Sequence, residues 1–329
     1  MLSRHFFRAK VLQYAYAAQL NGNEVSDVEL RFKKDIELFN VLGAMQLSLL
    51  TETVKVAERV IDDKTHKFMP TELDKIGSRR LVDNRFITLI DGNASFHNAL
   101  QRYKLNPDIY DEDIRNFFLA FSGTDYYRQY VTAEDDTFEA DHAMALQLFR
   151  ELISDDVLRD AIVGREMLWA DDYDQIADYN YKALRDLDDT FNASSPMPVM
   201  LDPGSQQDKE YFEFSFKLLQ AALSQRDDNI KLIGRHLNKG WELERVASTY
   251  LAIINMAIAE VTTFSTIPER VTMDEYITLA KEFGSDKSYL FVNGILDHLF
   301  AELRAKGMIN KTGRGLDLPD NVDMNDDEQ

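Results

Sequence analysis

The stretch FGSDKSYLFVNGILDHL, residues 283–299, carries two conflicting signals. Asn293-Gly294 is a hairpin-turn dipeptide. Around it, Val292, Ile295, Leu296, Leu299 and Leu303 recur at steps of three and four, the period of a helix. The apolar stripe runs through the dipeptide unbroken, so the stretch reads as a helix ending near Lys306-Gly307. A glycine inside a helix costs about 1 kcal/mol against alanine. That cost asks for a reason, and a residue without a side chain lets another backbone come close. Gly294 is therefore expected to be a packing notch, where Gly294→Leu would overpack by about 1–3 kcal/mol.

The same period recurs along the chain. Arg4 to Leu20 forms one amphipathic helix with Phe7, Val11, Tyr14, Ala15 and Ala18 on its stripe, closed by Asn21-Gly22-Asn23. Asp35 to Ile61 is a long periodic segment, and helix-like runs cover about 84–104, 110–121, 137–153 and 172–187. Further helices are read from Asp208 to Leu223 (Phe212, Phe216, Leu219, Leu223), from Asn229 to Leu237, and from Leu243 to about Phe264, the last buried on most sides. Thr272-Met-Asp-Glu275 has the form of a capping box starting the next helix, which ends at Phe283-Gly284. No sustained two-residue alternation is present, so the fold class is all-α.

Punctuation divides this helical chain. The run Phe191 to Ser205 concentrates Pro, Ser, Gly and Asn and reads as a linker. The expected organisation is an N-terminal helix over 1–22, an acidic helical region over 23–204, a C-terminal helical domain over 205–310 and an acidic, unstructured tail over 311–329. A faint echo (Asp141, Leu148-Phe149, Trp169 against Asp208, Leu218-Leu219, Trp241) raises a duplicated helical unit.

Of 329 residues none is cysteine, which excludes disulfides and thiolate metal sites. The most apolar stretch, Tyr250 to Ala259, is too short to span a bilayer, and the first residues lack a secretory apolar region, so a soluble cytoplasmic protein is expected. The net charge of −20 argues against nucleic-acid binding until it is partitioned. Residues 1–22 carry +3, residues 23–204 carry −16, residues 205–314 carry −1 and residues 315–329 carry −6. The acidity lies in the middle and the tail.

No GxxxxGK[ST], GxGxxG or HExxH motif appears, and no enzyme, cofactor or metal is implied. Glu139 and His142 share a helix face but supply only part of a metal site. Asp171 to Asp178 is acidic and aromatic without the spacing of a calcium loop, and reads as a solvated helix start. On the first helix, Arg4 and Arg8 stand one turn apart with Lys10 nearby. Arginine forks suit phosphate, and His5, Phe6 and Tyr16 offer rings for base stacking. A solvated basic rim is the plainer reading of the same residues.

The C-terminal third carries a more specific pattern. WELERVASTYLAIINMAIAEV, IPERVTMDEYITLAKEFG and SDKSYLFVNGILD, within residues 241–297, resemble the C-terminal part of the NusB transcription antitermination family. Arg4, Arg8, Gln13, Tyr16, Gln19 and Leu20 match the family's N-terminal pattern, and Asp208 to Leu237 resembles its middle helices. The resemblance covers residues 1–22 and about 205–305. It implies a NusB-like helical bundle with a large helical insertion or expanded N-terminal half, similar to the long forms of Bacteroidetes. It also implies binding of boxA-type single-stranded RNA together with NusE, a small-subunit ribosomal protein, in an antitermination complex on RNA polymerase.

By that resemblance Arg4, Arg8 and Tyr16 would contact RNA. Phe283, Phe291 and the loop between them, with Lys287, would form the other wall, and Glu260 would face NusE. Asn255 stands where the family pattern has arginine, and Lys287 where it has an acid. A scaffold that binds a basic ribosomal protein or polymerase through the acidic region is the alternative. An rRNA methyltransferase carrying a NusB-like domain would need a Rossmann-like domain, of which the sequence has no sign.

Overall fold

Ser3 has extended backbone and its hydroxyl accepts from the Phe6 amide, which satisfies one of the free N–H groups at the start of α1, Arg4–Asn21. Gly22, with φ of 62°, closes the same helix in the left-handed conformation. The computed structural model describes residues 3–22, 24–65, 79–134, 137–197, 205–237, 243–285 and 287–316. Among them there is no strand. The helices after α1 are α2 (Val25–Thr65), α3 (Arg85–Asp91), α4 (Ala94–Tyr103), α5 (Asp111–Phe121), α6 (Asp125–Thr132), α7 (Phe138–Ser154), α8 (Asp156–Val163) and α9 (Tyr173–Arg185). Then come α10 (Gln206–Ser224), α11 (Arg226–Arg235), α12 (Ser248–Thr263), α13 (Glu269–Phe283) and α14 (Ser288–Ala305). The all-α reading holds. No helix among the described residues is long and apolar enough to cross a membrane.

The chain forms two compact units, one of residues 35–202 and one of 3–34 with 203–329. The division falls inside α2, at Lys34–Asp35, whereas the sequence suggests a break at Gly22-Asn23. In the first unit α7 packs on α3 and α9. A buried polar knot holds it: Asp141 accepts from the Tyr130 hydroxyl at 2.7 Å and the Arg85 amide at 3.0 Å. Asn84 donates to the Asp141 carbonyl at 2.9 Å.

Several local expectations are corrected. The run over 84–104 is two helices, because the Asn93 side chain caps α4 by accepting from the Phe96 amide at 3.0 Å. The short helices α6 and α8 escape the periodic reading. Part of the expected linker is tied down: Asn93 donates to the carbonyls of Asn192 and Ser195, and Phe191 and Met197 are buried. Of the tail expected to be unstructured over 311–329, residues 311–316 are held in place, Lys311 donating to the Val261 and Phe264 carbonyls and the Thr312 amide to that of Ser265; residues 198–204, Trp241 and 317–329 lie outside the described residues. His142 bonds the Leu184 carbonyl at 2.8 Å and packs against the Phe86 ring at 4.4 Å, tilted by 37°, a packing role that leaves Glu139 aside.

In the second unit α12 is the axis, packed on α1, α10, α11, α13 and α14. From Leu251 to Val261 every residue of it is buried, in line with its apolar composition. The buried face of α10 runs through Phe214, Leu218, Leu219 and Ala222, while Phe212 and Phe216 are only partly covered. Asn255 donates to the Ala222 carbonyl and accepts from Asn229, each at 2.9 Å, so the residue at the family's arginine position bridges helices inside the core.

Two features of the C-terminal motif differ from expectation. Thr272 does not cap α13, which starts one turn earlier behind Pro268; its hydroxyl is buried and turned inward. Gly294 is exposed, and a Cβ added there meets nothing within 4 Å. The packing notch is absent, and the expected overpacking at Gly294 loses its basis.

Candidate functional site

The site candidates all belong to the second unit. Arg8 lies on the buried side of α1 and is 1% exposed. Its Nε donates to Glu260 Oε2 at 2.7 Å and its Nη2 to Oε1 at 2.9 Å, a bidentate fork. Glu260, 0% exposed on α12, also accepts from Thr272 Oγ1 at 2.9 Å and the Tyr276 hydroxyl at 3.1 Å. A second carboxylate, Glu275, stands 3.3 Å from Arg8 Nη1. Both carboxylate oxygens of Glu260 are thus fully used. Burial pulls the Arg8 pKa down, but the hydrogen bonds and charge of Glu260 outweigh it, and the net shift is upward. Burial first, then the Glu260 charge, pushes the Tyr276 hydroxyl well above its ordinary value.

This network corrects two site expectations. Arg8 is no surface fork for phosphate, because it is enclosed and ion-paired. Glu260 faces no partner surface, because its partner is Arg8 in the same chain. Lys10 is likewise buried. The pair fastens α1 to α12 and α13, and its members lie 252 positions apart, beyond any local motif.

Arg4, one turn before Arg8, is exposed. Its guanidinium lies 5.4 Å over the ring of Phe214, on which Arg8 also rests at 5.2 Å. Such cation–π contacts leave the N–H donors of Arg4 facing water. Tyr16 is half-buried on the same helix. Twelve residues separate it from Arg4, roughly 18 Å along the axis and about a third of a turn around it. The two therefore occupy different parts of the α1 surface.

The other expected wall is the α13–α14 junction. Phe283 is 39% exposed at the end of α13. Lys287 is exposed and left-handed, with φ of 66°, a conformation that costs a side-chain-bearing residue free energy. Phe291 sits 6.1 Å from the ring of Tyr250, whose hydroxyl is 2.8 Å from Ser285 Oγ and accepts from the Ser285 amide. Tyr250 thus joins the aromatic surface that the motif suggests. Its position at the start of an apolar helix hides that role.

His5 links the two walls. Its Nδ1 donates to Glu275 at 2.8 Å and its Nε2 to Glu282 at 3.0 Å, which requires both ring nitrogens to be protonated. Glu282 directly precedes Phe283. The Glu275 bond, with Glu282 adding to it and burial opposing, raises the His5 pKa. The same bond, helped by Arg8 and opposed by burial, lowers that of Glu275. A raised histidine pKa adds stability that is complete below its unfolded value and fades as pH rises through the folded one. The lowered Glu275 value adds stability above its unfolded value, lost as pH falls through the folded one. Both are present from about pH 4.5 to 6.5. The melting-temperature gap between the wild type and His5→Ala is expected to be widest there and to narrow as pH rises through the raised folded value of His5. A gap that stays constant to alkaline pH would remove the staple.

These observations define an all-α bundle whose first helix, anchored by a buried Arg–Glu pair, sets an exposed arginine and a rim of aromatic rings at the surface. Among the described residues, no group of three or more His, Cys, Asp or Glu is placed to hold a metal. The NusB family model matches residues 185–300. The transcription antitermination protein NusB of Salinibacter ruber is 30% identical over 131 residues, 40% of this chain and 78% of the relative. That of Natranaerobius thermophilus is 32% identical over 101 residues, 30% and 73%. That of Chloroherpeton thalassium is 39% identical over 108 residues, 32% of this chain but only 51% of the relative, so the chain spans about half of that protein. The chain belongs to the NusB family. No solved structure matches it.

Proposed function

We propose that this protein is a transcription antitermination factor that binds boxA-type single-stranded RNA of ribosomal RNA leaders together with NusE, within the antitermination complex on RNA polymerase. The observation that carries the reading is Arg4: exposed, seated on a ring and held in place by the Arg8–Glu260 anchor beneath it. Lys287 supplies a second exposed cation, and Phe283, Phe291, Tyr250 and Tyr16 supply rings for unstacked bases. Arg8 acts through folding instead of phosphate contact. The acidic region over 23–204 adds no attraction for RNA, and it supports the alternative of a scaffold for a basic ribosomal protein or polymerase surface.

Two phosphate contacts to a single strand give a slope of log K against log salt of about −1.4. Such a small electrostatic contribution points to weak binding by the chain alone and tighter binding with NusE. Titration of boxA-type and scrambled RNA, with and without NusE, tests this. Arg4→Ala is expected to weaken binding and flatten the slope by about 0.7. Equal affinity for both RNAs with NusE present would reject the RNA reading. Retained NusE binding under that outcome would favour the scaffold.

A further inference from the structure

Three exposed apolar side chains of the first unit stand on segments that meet. Scattered apolar residues are ordinary on a protein surface, but grouped ones mark contact sites. Met167 is 85% exposed, the most of any large apolar side chain among the described residues, and Leu168 beside it is exposed too. Both belong to the 3-10 turn Met167–Trp169, which follows α8 and packs against it. The Arg165 guanidinium lies 5.4 Å over the Tyr110 ring. That contact sets residues 107–110 against the entry to the turn and brings in Ile109, which is also exposed.

The surroundings of these side chains are acidic. Segments 107–113 and 155–178 together hold twelve acids against two arginines. Both arginines are engaged: Arg159 forks onto Asp174 with two bonds of 2.9 Å, and Arg165 covers Tyr110. Asp156, Asp160 and Asp171 are exposed and have no cation within ion-pair distance among the described residues. Trp169, on the same turn as Met167, buries its indole N–H without an acceptor among the described residues, and the hydroxyls of Tyr110 and Tyr173 are likewise unpaired. A buried donor without a partner costs free energy, so an acceptor brought to this turn is rewarded.

We propose that this lobe of the first unit docks a basic amphipathic helix of a partner protein. The apolar face of that helix lies on Met167, Leu168 and Ile109, and its lysines or arginines lie over the surrounding acids. An apolar patch inside an acidic rim complements a helix that is apolar on one side and basic on the other. Methionine suits such a surface, because its unbranched, polarizable side chain moulds itself to different shapes. Nucleic acid is repelled by the same acids. A second copy of the chain would bring a patch of like charge, which opposes self-association. The docking gives the scaffold reading of the acidic region a surface and a partner chemistry. It rests on that reading and not on the binding of RNA.

The test follows the anisotropy of fluorescein-labelled peptides of about 18 residues, five helical turns, mixed with the full chain. The probe peptide is made of leucine and lysine, with the leucines at helical spacing. One control has the same composition shuffled to break the apolar face, and another has glutamate in place of lysine. The unmodified chain is expected to bind the probe at least about tenfold more tightly than either control. Met167→Ser combined with Leu168→Ser is expected to weaken probe binding at least about tenfold. Asp160→Lys combined with Asp171→Lys is expected to weaken it by about as much and to flatten its salt dependence. Leu30→Ser, at an exposed apolar position of the second unit, is expected to leave binding unchanged, and all variants should melt as the wild type does. Probe binding that survives Met167→Ser with Leu168→Ser would overturn the proposal while leaving the scaffold reading to other acids. No preference for the probe over the shuffled peptide would do the same, and no binding of any peptide would remove both. Affinity for boxA-type RNA with NusE should be equal in the wild type and the double serine variant; a loss there would put the lobe on the RNA surface and overturn the docking. Dimerisation of the unmodified chain that disappears in the serine variant would assign the patch to a second copy, which also overturns it.

Discussion

Glu260→Ala is expected to lower folding stability by about 3–5 kcal/mol, read as a fall in the urea midpoint at unchanged m. The size reflects the groups that stay behind. Arg8 is 1% exposed, so without Glu260 its charge remains in the interior with one poorly placed partner, Glu275, at 3.3 Å. Thr272 and Tyr276 lose their acceptor in the same step. Each stranded buried hydroxyl adds about 1–3 kcal/mol, although the contributions do not sum independently. Against a typical total of about 5–15 kcal/mol, such a loss is a large fraction of the stability.

The pair need not stabilise the fold relative to an apolar core. Arg8→Met combined with Glu260→Leu is expected to recover most of the loss, because no buried charge is then left alone. A fall below about 1 kcal/mol for Glu260→Ala alone would show that water reaches Arg8 and that the network does not anchor α1. Detachment of α1 would also displace Arg4, so RNA affinity should fall with stability in this variant.

Gly284→Ala is expected to cost about 1–3 kcal/mol by overpacking. The backbone at Gly284, φ −105° and ψ 176°, suits any residue, so the demand for glycine is steric. An added Cβ would lie 2.2 Å from Ser288 Oγ and 2.4 Å from the Ala280 carbonyl oxygen. Those two atoms are joined by a 2.6 Å hydrogen bond, which ties the end of α13 to the first turn of α14. The intruding methyl group must break that bond or move the backbone, and both outcomes disturb the junction bearing Phe283, Lys287 and Phe291. A melting temperature equal to wild type would show that the junction has slack. In the motif, then, the sterically required glycine is Gly284, at the helix end, and not Gly294, which faces solvent.

That contrast marks the limit of local spacing as a guide. The stripe of Val292, Ile295, Leu296, Leu299 and Leu303 depends only on the 3.6-residue period, and all five are buried on α14. Caps whose partners lie within a few residues, such as Gly22, are legible for the same reason. Thr272 has the local form of a cap, but its hydroxyl serves Glu260 on another helix, and that tertiary bond wins over the local one. The Pro/Ser-rich run to Met197 reads as loose by composition, yet Asn93 and Ser95, about a hundred residues earlier, hold it down.

By itself, the sequence determined the helical class, the course of most helices, the family motif and the partition of charge, because each is a property of spacing and composition along the chain. The tertiary structure alone decided which charges are paired. Arg4 and Arg8 are indistinguishable as neighbours one turn apart on a basic helix. Only the packing of α1 against α12 and α13 brings Glu260 to Arg8 and none to Arg4. That packing makes one arginine an anchor and leaves the other at the surface, because desolvation retains a buried cation only where a carboxylate from a distant segment meets it.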